Sequence, residues 1–156
     1  MALDATARES NFKDSLKKFL RDNLESAQSI PLLFDKSLST PKVQGREVDQ
    51  WVAVRMGDVR PDSLMEAQVH FYVCTKKDPE GFKLSQLRDK VLGAFFDPTY
   101  PNGRIPVPLY RSHPTEAWVI IGYLTPVIIW QSELMDADDE SKYKILQFTF
   151  KWSAKI

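Results

Sequence analysis

The chain has 156 residues, is 43% hydrophobic and 12% aromatic, and carries 21 basic and 21 acidic residues. This composition predicts one folded domain over residues 1–156 and excludes an intrinsically disordered chain. The net charge of zero argues against a general nucleic-acid binder and favours self-association over mutual repulsion.

The N-terminal region is predicted to form one amphipathic helix. Thr6 and Glu9 have the spacing of a capping box. Charged residues fill one side of the helix, which we interpret as solvated. Apolar residues recur at spacings of three and four and form one stripe: Phe12, Leu16, Phe19, Leu20, Leu24 and Ala27. The N-terminus has no apolar core, so we expect no signal peptide.

Two segments of different character follow the helix. Pro31–Phe34 is short and extended. Asp35–Gln50 is a polar connection without periodicity, and it is long for a compact domain. It is either a long hairpin arm or a loop that becomes ordered on a partner.

The clearest signal is in Met65–Val73, where apolar and polar residues alternate. Period two over this length predicts a half-buried antiparallel strand. Trp51–Met56 is predicted to be the preceding strand, and Gly57–Asp62 the turn between them. A helix is predicted next, with Pro79 at its start and an apolar side comprising Phe82, Leu84, Leu87, Val91 and Phe95.

The C-terminal part is predicted to consist of strands. Prolines exclude a helix from Asp97–Pro114, in which Ile105–Tyr110 fits an edge strand. Ala117–Trp130 is almost continuously apolar and too short for a membrane span, so we interpret it as one bent strand or two short ones. The acidic connection Glu133–Glu140 leads to a last alternating strand, Tyr143–Trp152.

These elements favour an α+β fold: a single antiparallel, at most mixed, β-sheet of four to six strands with two α-helices packed on one face. Ala117–Trp130 has apolar side chains on both sides, so both of its faces need cover. Two helices cover only about one face of such a sheet. We therefore expect a contact with another subunit; the alternative is that long loops fold back as a lid.

The residues offer little chemistry. His70 and Cys74 share a strand face but lie roughly 13 Å apart at strand rise, beyond the reach of a nucleophile and its base. Cys74 is the lone cysteine, so no intramolecular disulfide forms. The chain has two histidines, which provide few ligands for a metal ion. The acidic run from Asp136 lacks the glycine of a calcium loop. We predict no enzyme activity, no cofactor and no metal site.

Two segments carry a resemblance to a known family. WVAVRMG (Trp51–Gly57) resembles the strand with an aromatic residue, Val-Ala-Val and a glycine in the tail terminator proteins of long-tailed bacteriophages. Gln68–Phe95 is similar to the strand, charged turn and helix that follow in those proteins, and the order of elements is similar as well. The resemblance spans about half of the chain and does not extend to Asp97–Pro114 or Ala117–Trp130.

The resemblance implies a structural virion protein of the tail and neck that is assembled in the host cytoplasm. It implies a homo-oligomer, a hexameric ring that caps the tail tube, stops its polymerisation and joins the tail to the head. Expected partners are the tail tube protein, the neck or connector protein and, in a contractile tail, the sheath protein. DNA only passes through the lumen, and no cofactor or membrane contact is implied.

Under this hypothesis, polar segments recognise the partners: Asp35–Gln50, the Gly57–Pro61 turn and Glu133–Glu140. Acidic side chains that face a lumen repel the phosphates of passing DNA. The candidate interface or lumen residues are Asp136, Asp138, Asp139, Glu140, Arg46, Glu47, Asp58 and Arg60.

Two other hypotheses remain open. A head-completion or neck adaptor protein of the same virion is expected to be more helical and to work in a twelve-fold setting. A small cytoplasmic enzyme or ligand-binding domain is expected to be a monomer or dimer with a buried polar cluster. The number of subunits in the assembly separates these possibilities.

Overall fold

The computed structural model describes residues 3–35, 42–43, 46–60, 62, 64–111, 119–137 and 141–153. Two α-helices lie on a mixed, curled sheet, so the predicted α+β class is confirmed. The helices are α1 (Glu9–Leu20) and α2 (Phe82–Gly93). The strands are β1 (Leu32–Phe34), β2 (Lys42–Val43), β3 (Arg46–Glu47), β4 (Gln50–Arg60), β5 (Leu64–Thr75), β6 (Val107–Arg111), β7 (Val119–Gln131), β8 (Met135–Asp136) and β9 (Lys142–Ser153).

The main sheet has the strand order β1-β4-β5-β9-β7-β6, and the two-residue β8 pairs with β9 beside this path. Only β1 and β4 run parallel; the other neighbours are antiparallel. β2 and β3 form a separate two-stranded ladder. That ladder favours the hairpin interpretation of Asp35–Gln50 over the loop interpretation. Among the described residues, no helix combines the length and apolarity needed to cross a bilayer.

Both helices cover the same face of the sheet. The apolar side of β5 lies against that of β9, so that Val69 is opposite Phe148. Rings from β5, β9 and the end of α2 meet at the centre, with neighbouring centroids 5.1 to 6.0 Å apart: Phe71, Phe95, Phe148 and Phe150. Burial of such large apolar side chains is the main source of stability.

α1 packs through most of the predicted stripe, and its end is wound differently from its start. Ala27, predicted to belong to the stripe, is instead exposed, and Phe19 is partly buried. The buried apolar residues of α1 and of the turn that follows it recur every fourth position: Phe12, Leu16, Leu20 and Leu24. In an α-helix this spacing drifts by roughly 40° per step around the axis. The π-helical turn Arg21–Ser26 rotates less per residue and keeps the last leucine on the buried side.

The predicted capping box at the start of α1 is wrong. Thr6 donates to Asp4 from its hydroxyl, 2.7 Å away, and Glu9 forms an ion pair with Lys13. A short 3₁₀ turn, Ala5–Ala7, precedes the helix instead. Asp4 accepts from the Thr6 N–H at 3.0 Å and so caps this turn, because the 3₁₀ turn shifts the free N–H groups toward the N-terminus.

α2 begins later than predicted, and its cap comes from outside the helix. The Asp78 carboxylate accepts hydrogen bonds from the N–H groups of Lys83 and Leu84 at 3.2 and 2.9 Å. Gly81 precedes the helix with φ of 74°, a conformation that favours glycine. Phe82, predicted to face the core, is instead 67% exposed because it occupies the first, outward-facing position of the helix.

The predicted turn at Gly57–Asp62 is also wrong in part, because β4 continues to Arg60. The ladder between β4 and β5 shifts register between Met56 and Val59, which marks a β-bulge. A Cβ at Gly57 would lie 2.9 Å from the Gln68 backbone oxygen, so the two strands approach each other closely where this side chain is absent.

Other parts of the chain supply hydrogen-bond partners near both edges of the sheet. At β6, the Ser15 hydroxyl of α1 accepts from the Tyr110 N–H at 2.8 Å. At β4, the Asp35 carboxylate accepts from the Met56 N–H at 2.9 Å, and β1 pairs with the residues before it. These contacts occupy backbone groups that would otherwise be free to pair with an added strand.

Candidate interaction surface

β7 exposes a band of large apolar side chains, which we call the β7 strip: Val119, Ile120, Tyr123, Ile129 and Trp130. Its first half pairs with β6 and its second half with β9, so neither neighbour accompanies the whole strand. Pro126 lies just past the last residue paired with β6. Proline is tolerated there because this part of β7 is an edge and its missing N–H leaves no ladder bond unmade.

A bulge sets the most exposed part of the strip. Ile128 pairs with Phe148 and Trp130 with Gln147, so Ile129 is the extra residue. The interruption breaks the alternation of sides, and consecutive side chains, Ile129 and Trp130, are 56% and 49% exposed. Large apolar residues side by side on a strand surface are typical of protein–protein contacts.

Much of this sheet face next to β7 is polar. Polar side chains on this face come from three neighbouring strands: Arg55 of β4, Glu66, Gln68 and His70 of β5, and Gln147 and Lys151 of β9. Glu66 and Lys151 approach to 3.7 Å, and the Arg55 guanidinium lies 5.6 Å from the Tyr72 ring centroid. Farther along the same face the rows are apolar, and Trp51, Ala53 and Cys74 are buried there. The exposed large apolar side chains of this face therefore lie mostly on β7.

A pocket opens beside β7, which we call the Tyr100 pocket. It has a volume of about 240 Å³ and is lined by Tyr100, Pro101, Asn102, Arg104, Pro106, Thr125 and Pro126. The loop that forms it is held by its own hydrogen bonds: the Asp97 N–H donates to the Gly103 carbonyl at 3.0 Å, and the Tyr100 N–H donates to the Asp97 carbonyl at 3.1 Å.

Asp97 itself anchors this loop. Its carboxylate accepts from the N–H and the hydroxyl of Thr99 at 2.9 and 2.7 Å. These two hydrogen bonds hold the pKa of Asp97 below its ordinary value. The pocket walls are thus largely formed before any partner arrives.

A second cleft contains two of the predicted site residues. Asp58 lies in the bulge of β4 and Arg60 follows it. Both line a cleft of about 240 Å³ with Gly57, Glu66, Gln68 and His70. Both side chains are exposed, as an interface residue must be. The bulge brings them to this surface because it re-aims the residues that follow it.

The other predicted residues lie elsewhere. Asp136 is exposed in β8 and pairs with Lys142 at 2.7 Å. Asp138, Asp139 and Glu140 lie outside the described residues, as do the side chains of Arg46 and Glu47, whose backbones form β3.

The candidate residues whose side chains the structure describes lie in two separate places. Asp136 pairs with Lys142 at the first residue of β9, whereas Arg60 lies in the row of Lys151 near its end. Nine residues of strand separate these rows, roughly 30 Å at strand rise. The Tyr100 pocket and the Ile129–Trp130 bulge were not predicted; the only sequence signals were Pro126 and the unbroken apolar run.

Within the described ranges, no three His, Cys, Asp or Glu side chains are grouped as metal ligands. No protein-family model matches the chain, and no curated protein matches it in sequence. One solved structure, of a protein that bears only a sequence identifier as its name, superposes with a TM-score of 0.62 at 10% identity. The match covers 96% of this chain and 98% of that one. At this identity the likeness shows the fold alone.

Proposed function

We propose that the chain is a structural subunit of a phage tail that assembles into a closed hexameric ring. The ring caps the tail tube, stops its growth and joins the tail to the neck connector. The single observation that carries the proposal is the β7 strip, a row of large apolar side chains that the helices and loops of the described chain leave exposed. Contact with another subunit removes this surface from water.

Differences between the two ends of the sheet support a ring with two unlike faces. Asp136 lies at one end of β9, and Asp58 with Arg60 lies at the other end. A capping ring needs this asymmetry, because one face must match the tube and the opposite face must not allow another tube ring to add. No covalent chemistry is required for such a mechanism.

The acidic segment after β7 has a specific role in this proposal. Asp136, Asp138, Asp139 and Glu140 lie near the lumen or the tube interface, where their charge repels DNA phosphates. Replacing all four with Asn or Gln is expected to impair tail joining or DNA passage. If tails assembled with this variant join to heads and conduct DNA normally, these four residues do not have the proposed role.

The number of subunits tests the function. Native mass spectrometry and averaged electron-microscopy images are expected to give six subunits in a ring whose diameter matches a tail tube. Twelve subunits would favour the neck adaptor hypothesis. A monomer at every concentration measured would overturn the proposal, since the β7 strip would then be exposed without a subunit partner.

A further inference from the structure

We infer that Trp130 of one copy binds in the Tyr100 pocket of the next copy, so that subunits join head to tail. This inference rests on the proposed ring and specifies the contact that closes it. The two surfaces are different, and each copy carries both of them.

Trp130 has the properties of an anchor residue. It is 49% exposed and sits at a bulge of a paired strand, opposite Gln147, so its backbone is held in place before association. Tryptophan is among the residues that most often dominate binding energy at interfaces. It combines a large apolar surface with one N–H donor and few rotatable bonds.

The Tyr100 pocket has the size of one such side chain. Its volume of about 240 Å³ lies below that of most small-molecule sites, which run from roughly 300 Å³ upward. A cavity of roughly 150 Å³ takes a single benzene ring, so the larger indole fits the space here.

The lining of the pocket suits an indole ring. Three prolines and Tyr100 provide flat apolar walls, and the loop hydrogen bonds described above keep these walls in position. The Arg104 guanidinium can lie over the indole face as a cation–π partner. The side-chain oxygen of Asn102 is an acceptor for the indole N–H.

Charge complements the fit. Arg104 carries no ion pair in the part of the chain that the structure describes, and neither does the exposed Glu133, three residues after Trp130. Seating Trp130 in the pocket of a neighbour brings these opposite charges to the same interface. An ion pair at the rim fixes orientation and raises the association rate more than the affinity.

The contact has to be made between copies. Pro126 lines the pocket and Trp130 follows four residues later on the same strand, roughly 13 Å away at strand rise, so the ring cannot reach its own pocket. A contact between two different patches produces a closed ring or an open filament. A stable interface buries roughly 800 Å² on each partner, and one tryptophan supplies roughly 150–250 Å² of this area. The other residues of the β7 strip are available to supply the remaining buried area.

The decisive experiment mixes two variants that each lack one half of the contact. Trp130→Ala removes the anchor. Thr125→Trp places a large side chain at an exposed residue of the pocket wall and so fills the pocket. Each variant alone is expected to stay monomeric by light scattering, with the association constant lowered at least ~30-fold. An equimolar mixture is expected to give a dimer and nothing larger, since it contains one intact anchor and one intact pocket.

A charge exchange provides an independent arm that leaves the apolar contact intact. Arg104→Glu and Glu133→Arg are each expected to slow assembly, and the double variant is expected to restore it. Phe82→Ala is the matched control, because it removes an exposed aromatic ring from α2 and should leave assembly unchanged. Circular dichroism confirms that every variant compared is folded.

The outcomes separate this inference from the proposed function. Two results would overturn the head-to-tail contact and leave the ring itself standing. One is a ring that still forms in Trp130→Ala. The other is a mixture that stays monomeric while the charge exchange shows no rescue. A wild-type chain that never associates overturns both. Saturable binding of a small aromatic compound such as indole to the wild-type monomer, with no effect on assembly, would assign the pocket to a ligand instead.

Discussion

Asp78 is expected to be a strong local determinant of stability. It is 7% exposed and accepts hydrogen bonds from the N–H groups of Lys83 and Leu84 and from the Thr75 hydroxyl, at 3.2, 2.9 and 3.1 Å. Asp78→Ala leaves these three donors without their acceptor at the start of α2. The expected loss is about 1–3 kcal/mol in the free energy of unfolding at pH 7.

The loss is expected to depend on pH in one direction. Burial by itself would raise the pKa of Asp78, but the hydrogen bonds from Leu84, Lys83 and Thr75 outweigh it and hold the pKa below its ordinary value. The native state therefore binds the proton less tightly than the unfolded state. The stabilisation is complete above the ordinary carboxyl pKa and is lost as the pH falls through the native one.

Urea unfolding followed by tryptophan fluorescence at pH 7 and pH 3 measures both effects. The difference between wild type and Asp78→Ala should be smaller at pH 3, and Asp78→Asn should show little pH dependence of its own. Asp97→Asn is the comparison for burial: Asp97 makes similar hydrogen bonds within an exposed loop, so its replacement should cost less stability at pH 7 than that of Asp78. An equal loss at both pH values, or a loss below about 0.5 kcal/mol at pH 7, would refute the reasoning.

Three further substitutions test the fold. Gly57→Ala places a methyl group 2.9 Å from the Gln68 oxygen and should cost about 1–3 kcal/mol in urea; unchanged stability would mean that the strands separate freely. Ser15→Ala removes the acceptor of the Tyr110 N–H and should speed hydrogen exchange of that amide. An unaltered exchange rate would mean that Ser15 does not protect this amide of β6. Phe148→Ala opens a cavity in the aromatic cluster and should cost about 3–5 kcal/mol, measured by the same unfolding curve; less than 1 kcal/mol would place this ring outside the core.

Strict periodicity made the central elements predictable. The alternation in Met65–Val73 and Tyr143–Trp152 predicted β5 and β9, and both strands bury the expected side. The stripe of α1 was recognised for the same reason, since side chains four apart on a helix must share a face. These patterns are local, so each can be read without knowing which strand lies beside it.

Capping residues were harder to identify. Asp78 stands four residues before α2 in sequence and reaches its first turn only because the intervening chain turns at Gly81. Thr6 has the right spacing to Glu9 but serves the 3₁₀ turn before α1. Rules on the spacing of capping residues can be applied only where the first residue of the helix is known. The sequence pattern alone did not give the first residue of α1 or of α2.

The amino-acid sequence by itself determined the α+β class, the buried sides of β5 and β9, and the excess of apolar residues on β7. Tertiary structure alone decided that β7 changes partner midway, that a bulge exposes Ile129 with Trp130, and that a pocket forms beside Pro126. It also decided that Asp58 and Asp136 lie at opposite ends of the sheet. The physical reason is that periodicity sets which side of a strand is apolar, whereas register and strand order depend on contacts between residues far apart in the chain.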